Sequence, residues 1–184
     1  MIPKRGVEHS GFGIMETKQL IAYLRAADLP VLVRPPSKSY HHIARALDVG
    51  ADGLMLPMIG SASEARDVLS HMRYPPEGHR GVALGVAHDR YAITGTSDAL
   101  AAANRRIAMA ALIETAEGVD NVEAIAAVPG VDLLFLGQND LCMSMGLYEK
   151  YQFPDMYFSD ELQEATNKLR AAAKKNNVIL GIFL

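Results

Sequence analysis

The chain has 184 residues, 49% of them hydrophobic and 21% charged, with a formal net charge of −3. That length supports one domain, or most of one, with a sizeable core, and the composition is that of a soluble globular protein. The mildly acidic balance, with no basic stripe, argues against nucleic acid or an anionic membrane surface as a partner.

Cys142 is the only cysteine, so no internal disulfide is expected, and a reducing, cytoplasmic location fits. Set among apolar neighbours, it reads as a small core residue. No apolar run reaches the roughly 18–20 residues of a membrane span. The opening "MIPKRGVEHS" lacks the apolar core of a signal peptide.

In chain order, residues 15–29 read as a helix with Leu20, Leu24 and Ala27 inward, and "PVLVRP" (30–35) reads as a short strand. Residues 37–50 follow as a helix with Ile43 and Leu47 inward and Gly50 just past its end, then "ADGLMLPM" (51–58) as a strand. Ser61 and Glu64 are spaced as a capping box opening a helix over 61–74. "YPPEGHRG" (74–81) reads as a loop and "VALGV" (82–86) as a short strand. Residues 97–106 read as a helix, "RIAMAALIE" (106–114) as a strand, and 117–130 as one helix ended by Pro129–Gly130. "VDLLFLG" (131–137) is a strand, 159–176 a long helix with Leu162, Thr166 and Leu169 inward, and "VILGIFL" (178–184) a last strand.

About six strands, apolar on both faces and separated by helices, predict an α/β protein with a parallel, helix-covered sheet. Periodicity does not separate a barrel from an open sheet. In either, the site forms where strands end, and Arg34, Glu114 and Asp140 follow strands.

Glu114 and Asp140 lie one strand–helix–strand unit apart, which puts them at the same end of adjacent strands. Two facing carboxylates repel unless a proton or cation lies between them. A hard divalent ion such as Mg²⁺ or Mn²⁺ would suit such oxygen donors. The alternative is that each acid caps the helix after it. In "GQND" (137–140), Gly137 admits a close backbone approach, and helix-start N–H groups at Asn139 and Asp140 could bind a carboxylate; a plain strand-to-helix turn explains the same residues. Arg34 could grip a carboxylate or polarise a carbonyl oxygen, or form a structural ion pair. His9, in a polar turn, is a candidate base. No Walker A, GxGxxG or GxSxG motif is present.

Together "VEHSGFGIMET", "PVLVRPP", "IARALDVGADGLMLPMI", "EARDVLSHMRYPPEGHRGV", "LIETAEGVDNVEAIAAVPGVDLLFLGQNDL" and "SMG" resemble, in order, the HpcH/HpaI aldolase family. The resemblance implies a (β/α)8 barrel of the phosphoenolpyruvate/pyruvate-binding type. It also implies a chain beginning near the first loop and stopping in what would be strand seven, a truncated barrel lacking its first and last strands. The implied activity is cleavage of a 4-hydroxy-2-oxo or 2-oxo-3-deoxy acid to pyruvate and an aldehyde.

By the same resemblance, Glu114 and Asp140 hold a divalent metal (Mg²⁺ or Mn²⁺, with Co²⁺ as an alternative), and Arg34 steadies enolate charge beside the oxo group. His9 acts as acid/base, and amides of the Gly137–Asp140 segment, near Asn139 and Asp140, hold the carboxylate. A homo-oligomer is implied as well. Two departures stand out: Gly6 replaces the aspartate that usually orients the histidine, and Leu112 replaces a common glutamine. Gly6 and the missing strands favour an inactive or fragmentary relative as an alternative, and an acyl-CoA lyase of the citrate lyase β-chain type is a further reading.

Overall fold

The protein is described by a computed structural model covering residues 11–92 and 96–182. In chain order the elements are α1 (Ile14–Ala26), β1 (Leu32–Val33), α2 (Tyr40–Asp48), β2 (Gly53–Leu56), α3 (Ala62–Met72), α4 (Thr96–Arg106) and β3 (Ala108–Ile113). There follow α5 (Ala116–Asp120), α6 (Val122–Ala126), β4 (Leu133–Leu136), α7 (Gln138–Ser144), α8 (Leu147–Lys150), α9 (Asp160–Asn176) and β5 (Ile179–Ile182). The α/β class and the parallel strands are as the sequence predicts. By contacts the chain divides into two compact units: the described residues up to Leu56 with Asp67–Met109, and Pro57–Arg66 with Ala110 onward.

In the first unit, β1 pairs in parallel with β2, Leu32 opposite Gly53 and Val33 opposite Leu54. All four residues of β2 are buried. α2 turns Ile43, Ala44, Ala46 and Leu47 inward, and Gly50 follows it at φ +107°, a conformation that costs a side-chain-bearing residue energy. Arg25 ties the helix-to-strand turns: its guanidinium donates to Gly50 O at 2.6 Å and Ala87 O at 2.8 Å, and lies 3.6 Å from Asp52. Arg80 is fully buried, bonded to Asp48 at 2.6 Å and stacked 4.6 Å over the Tyr74 ring. A buried cation is tolerated when paired this way.

In the second unit β3, β4 and β5 pair in parallel in chain order, with Ile113 opposite Leu136 and Leu136 opposite Ile182. α9 lays Leu162, Ala165, Leu169, Ala172 and Ala173 on β4, β5 and α6. Ser159 caps α9, its hydroxyl accepting from Leu162 N–H at 3.3 Å. The Ser61–Glu64 box forms too: Ser61 Oγ accepts from Glu64 N–H at 3.1 Å, while the Glu64 carboxylate reaches one residue further back, to Gly60 N–H at 2.9 Å.

Five strands are present among the described residues, not six. The expected strand at 82–86 is a turn: Gly85 holds φ +72°, its N–H donates to Asp89 Oδ2 at 2.6 Å, and Val86 O accepts from Tyr91 N–H at 3.0 Å. Local bonds consume the groups a ladder would need, and Val82 is exposed. α1 buries Thr17 and Ile21; Leu20 and Leu24 are half-buried and Ala27 is exposed. The Thr17 hydroxyl donates to Gly13 O at 2.8 Å, which lets it face inward and rotates the apolar stripe. The single helix expected over 117–130 is two, broken at Asn121, whose amide donates to Gly60 O at 2.8 Å. In α9, Thr166 is half-buried with its hydroxyl turned back to Leu162 O, and Ala165 takes the inward place.

Candidate active site

β3 and β4 end level, because Ile113 and Leu136 are register partners. The residues that follow, Glu114 and Gly137, therefore leave the sheet side by side, and Gly137 N–H donates to Ile113 O at 3.0 Å. The approach is close: a Cβ added to Gly137 would stand 2.7 Å from Glu114 Cβ and 2.8 Å from Glu114 Oε2. Only glycine fits there. Glu114 is 1% exposed.

Neither acid is a helix cap. The cap of α5 is Thr115, whose Oγ1 accepts from Gly118 N–H at 3.0 Å. The Glu114 carboxylate turns the other way and accepts from Met58 N–H at 2.8 Å. Met58 follows Pro57 just past β2 and holds φ +53°, uncommon for a residue with a side chain. The cap of α7 is Gly137, which offers no side chain. Asp140 stands exposed in the first turn of α7, three residues beyond Gly137.

The first hydrogen bond of α7 runs from Leu141 N–H to Gly137 O at 3.0 Å. The N–H groups of Gln138, Asn139 and Asp140 thus have no acceptor within the helix. The Asn139 side chain is fixed by Tyr157, whose hydroxyl donates to Asn139 Oδ1 at 2.6 Å. A hydrogen bond with Tyr148, then burial, push the Tyr157 hydroxyl up to about 12. Ser144 Oγ accepts from Ala116 N–H at 3.0 Å and joins the end of α7 to the start of α5. Cys142 is buried, and burial raises its thiol pKa, consistent with an inert core residue.

The structure thus brings Glu114, Gly137, Asn139 and Asp140 to one end of β3 and β4. Arg34 is half-buried directly after β1, in the other unit. His9 and Gly6 lie outside the described residues. Among the described residues no three His, Cys, Asp or Glu side chains converge as a metal cage. The donors at hand are two carboxylates, hard oxygen ligands that suit Mg²⁺ or Mn²⁺ and leave positions for water or substrate. Sequence reasoning missed Met58, Thr115, Ser144 and Tyr157. Only Met58 carried a signal, a residue set after the proline that ends a buried strand.

These elements define a protein of the aldolase type of α/β fold. The chain belongs to the HpcH/HpaI aldolase/citrate lyase family, whose model matches residues 7–184. It is 35% identical over 161 residues to the 5-keto-4-deoxy-D-glucarate aldolase of Shigella boydii serotype 18, covering 88% of this chain and 61% of that protein. The chain therefore spans less than two thirds of that relative's length. The HpcH/HpaI aldolase from Desulfitobacterium hafniense DCB-2 superposes with a TM-score of 0.88 at 29% identity, over 97% of this chain and 66% of that one. An aldolase/citrate lyase family protein from Burkholderia cenocepacia J2315 superposes with a TM-score of 0.84 at 35% identity, over 98% and 69%. Among the described residues no helix is long and apolar enough to cross a membrane.

Proposed function

We propose that this chain carries the site of a metal-dependent aldolase on a (β/α)8-type scaffold, cleaving a 4-hydroxy-2-oxo or 2-oxo-3-deoxy acid to pyruvate and an aldehyde. The observation that carries this is Glu114: buried, relieved of capping by Thr115, and oriented by Met58 N–H beside a glycine no other residue could replace. Family membership supports the same reading.

Glu114 and Asp140 would hold a divalent ion, Mg²⁺, Mn²⁺ or Co²⁺. When bound, such an ion supplies Lewis-acid polarisation of a substrate oxo oxygen. The remaining work falls to this chain's own groups. The amides of Asn139 and Asp140 hold the substrate carboxylate, as helix-start N–H groups hold anions. Arg34 offsets negative charge developing on the 2-oxo oxygen. His9 takes the C4 hydroxyl proton as the C3–C4 bond breaks, the aldehyde leaves, and protonation at C3 gives pyruvate.

The test is pyruvate release from a 4-hydroxy-2-oxo acid and from oxaloacetate, with Mg²⁺ or Mn²⁺ and with EDTA. Pyruvate that depends on the added ion, and a Glu114→Gln variant that folds but loses at least about 10²-fold in rate, are the expected results. Turnover that is indifferent to EDTA would sink the metal reading. A second reading, an inactive relative, is favoured by Gly6 standing where family members carry the histidine-orienting aspartate; ion binding without turnover is its signature. Turnover of CoA thioesters but not of free oxo acids would point to an acyl-CoA lyase.

A further inference from the structure

His71 and His79 take no part in the reaction above, and both belong to the unit that does not contain Glu114. His71 closes the last turn of α3, and exposed His79 lies in the 74–81 loop. Backbone bonds hold the loop to the helix end: His79 N–H donates to Ser70 O and Arg80 N–H to Arg73 O, each at 2.9 Å. The two imidazole centroids are 4.9 Å apart with their planes at 83°. Tyr40 adjoins both rings, stacked on His79 at 5.9 Å and edge-on to His71 at 5.7 Å, and its hydroxyl is fixed by Gly81 N–H at 2.7 Å.

Aromatic packing accounts for the rings but not for His71 Nδ1. His71 Nδ1 is shielded from solvent and has no hydrogen-bond partner among the described residues. A shielded imidazole nitrogen left unpaired costs free energy. With metal–nitrogen bonds of about 2.0–2.1 Å, two imidazoles on one tetrahedral or square-planar ion place their centroids about 4.5–5.2 Å apart. The 4.9 Å separation of His71 and His79 falls inside that range. The neighbouring rings of His41 and His42, at 4.1 Å, fall short of it, and His42 Nδ1 already meets the Ser37 and Ser39 hydroxyls.

We propose that His71 and His79 form a two-imidazole site for a borderline divalent transition-metal ion, Cu²⁺, Ni²⁺ or Zn²⁺, with water completing its coordination. Imidazole prefers these ions to Mg²⁺ and Mn²⁺, so the site is chemically separate from an all-oxygen one. The carbonyl end of α3 beside His71 favours a cation. His79 is exposed, so an ion can approach its side of the pair from solvent. An ion there would cross-link the 74–81 loop to α3.

The experiment is a Cu²⁺ titration of the full chain followed by electron paramagnetic resonance. Splitting from two imidazole nitrogens at one equivalent is expected. Two carboxylates give no nitrogen splitting, so failure here and failure of the aldolase reading are distinguishable. His71→Gln and His79→Gln should each remove one nitrogen and weaken Cu²⁺ binding by at least about tenfold, while His41→Gln leaves both unchanged. Circular dichroism checks that the variants remain folded. A wild-type spectrum without nitrogen splitting, or splitting that persists in both variants, would overturn the proposal.

Discussion

Glu114 illustrates how a single residue's role is decided by its partners. An acid after a strand and before a helix can cap that helix, and here Thr115 takes the cap. The Met58 amide then fixes the carboxylate, and Gly137 leaves it room. Gly137→Ala would put a methyl 2.7 Å from Glu114 Cβ and displace the carboxylate. The expected outcome is a loss of about 1–3 kcal/mol in urea unfolding, with ion-supported pyruvate release falling further than stability alone explains. Wild-type ion dependence in Gly137→Ala would mean that the position of Glu114 is not critical.

At the scale of elements, the second unit is held by one helix. α9 buries five residues against β4, β5 and α6, with Leu169 fully enclosed. Leu169→Ala should cost about 2–5 kcal/mol, and Ser159→Ala, which removes the cap on Leu162 N–H, about 1 kcal/mol. Both are measured by denaturant unfolding; an equal effect of the two would show that packing does not dominate this helix. α9 was legible because Leu162 and Leu169 keep helical spacing over seventeen residues. The segment at 82–86 was not: its β-branched residues suit a strand, but its amide and carbonyl groups are taken by the Asp89 turn.

For the molecule as a whole, titration bounds the stable range. Burial, then His41 and Arg45, lower the pKa of His42, whose Nδ1 lies 2.7 Å from the Ser37 hydroxyl. Its unfolded form binds a proton more readily than its folded form, so its contribution to stability is lost as pH falls below the ordinary imidazole value of 6.5. Tyr157 acts in the opposite sense: raised to about 12, it releases its proton later when folded, so stability falls as pH climbs past 10. Thermal unfolding against pH should show both declines, and His42→Gln should soften only the acid one.

Much of this protein was determined by its sequence alone. Strands apolar on both faces require cover on both sides, which specifies a parallel α/β sheet, and an acid placed after each of two such strands brings Glu114 and Asp140 to one end of the sheet. The ordered stretches from "VEHSGFGIMET" to "LGQNDL" pointed to the family that the chain belongs to. Only the tertiary structure decided that Thr115 and Gly137 are the caps, that Met58 holds Glu114, that Tyr157 fixes Asn139, and that His71 and His79 meet. The reason is physical. Periodicity and propensity act over a few residues, whereas the partner of a buried amide, carboxylate or imidazole is chosen by what folding brings within about 3 Å of it.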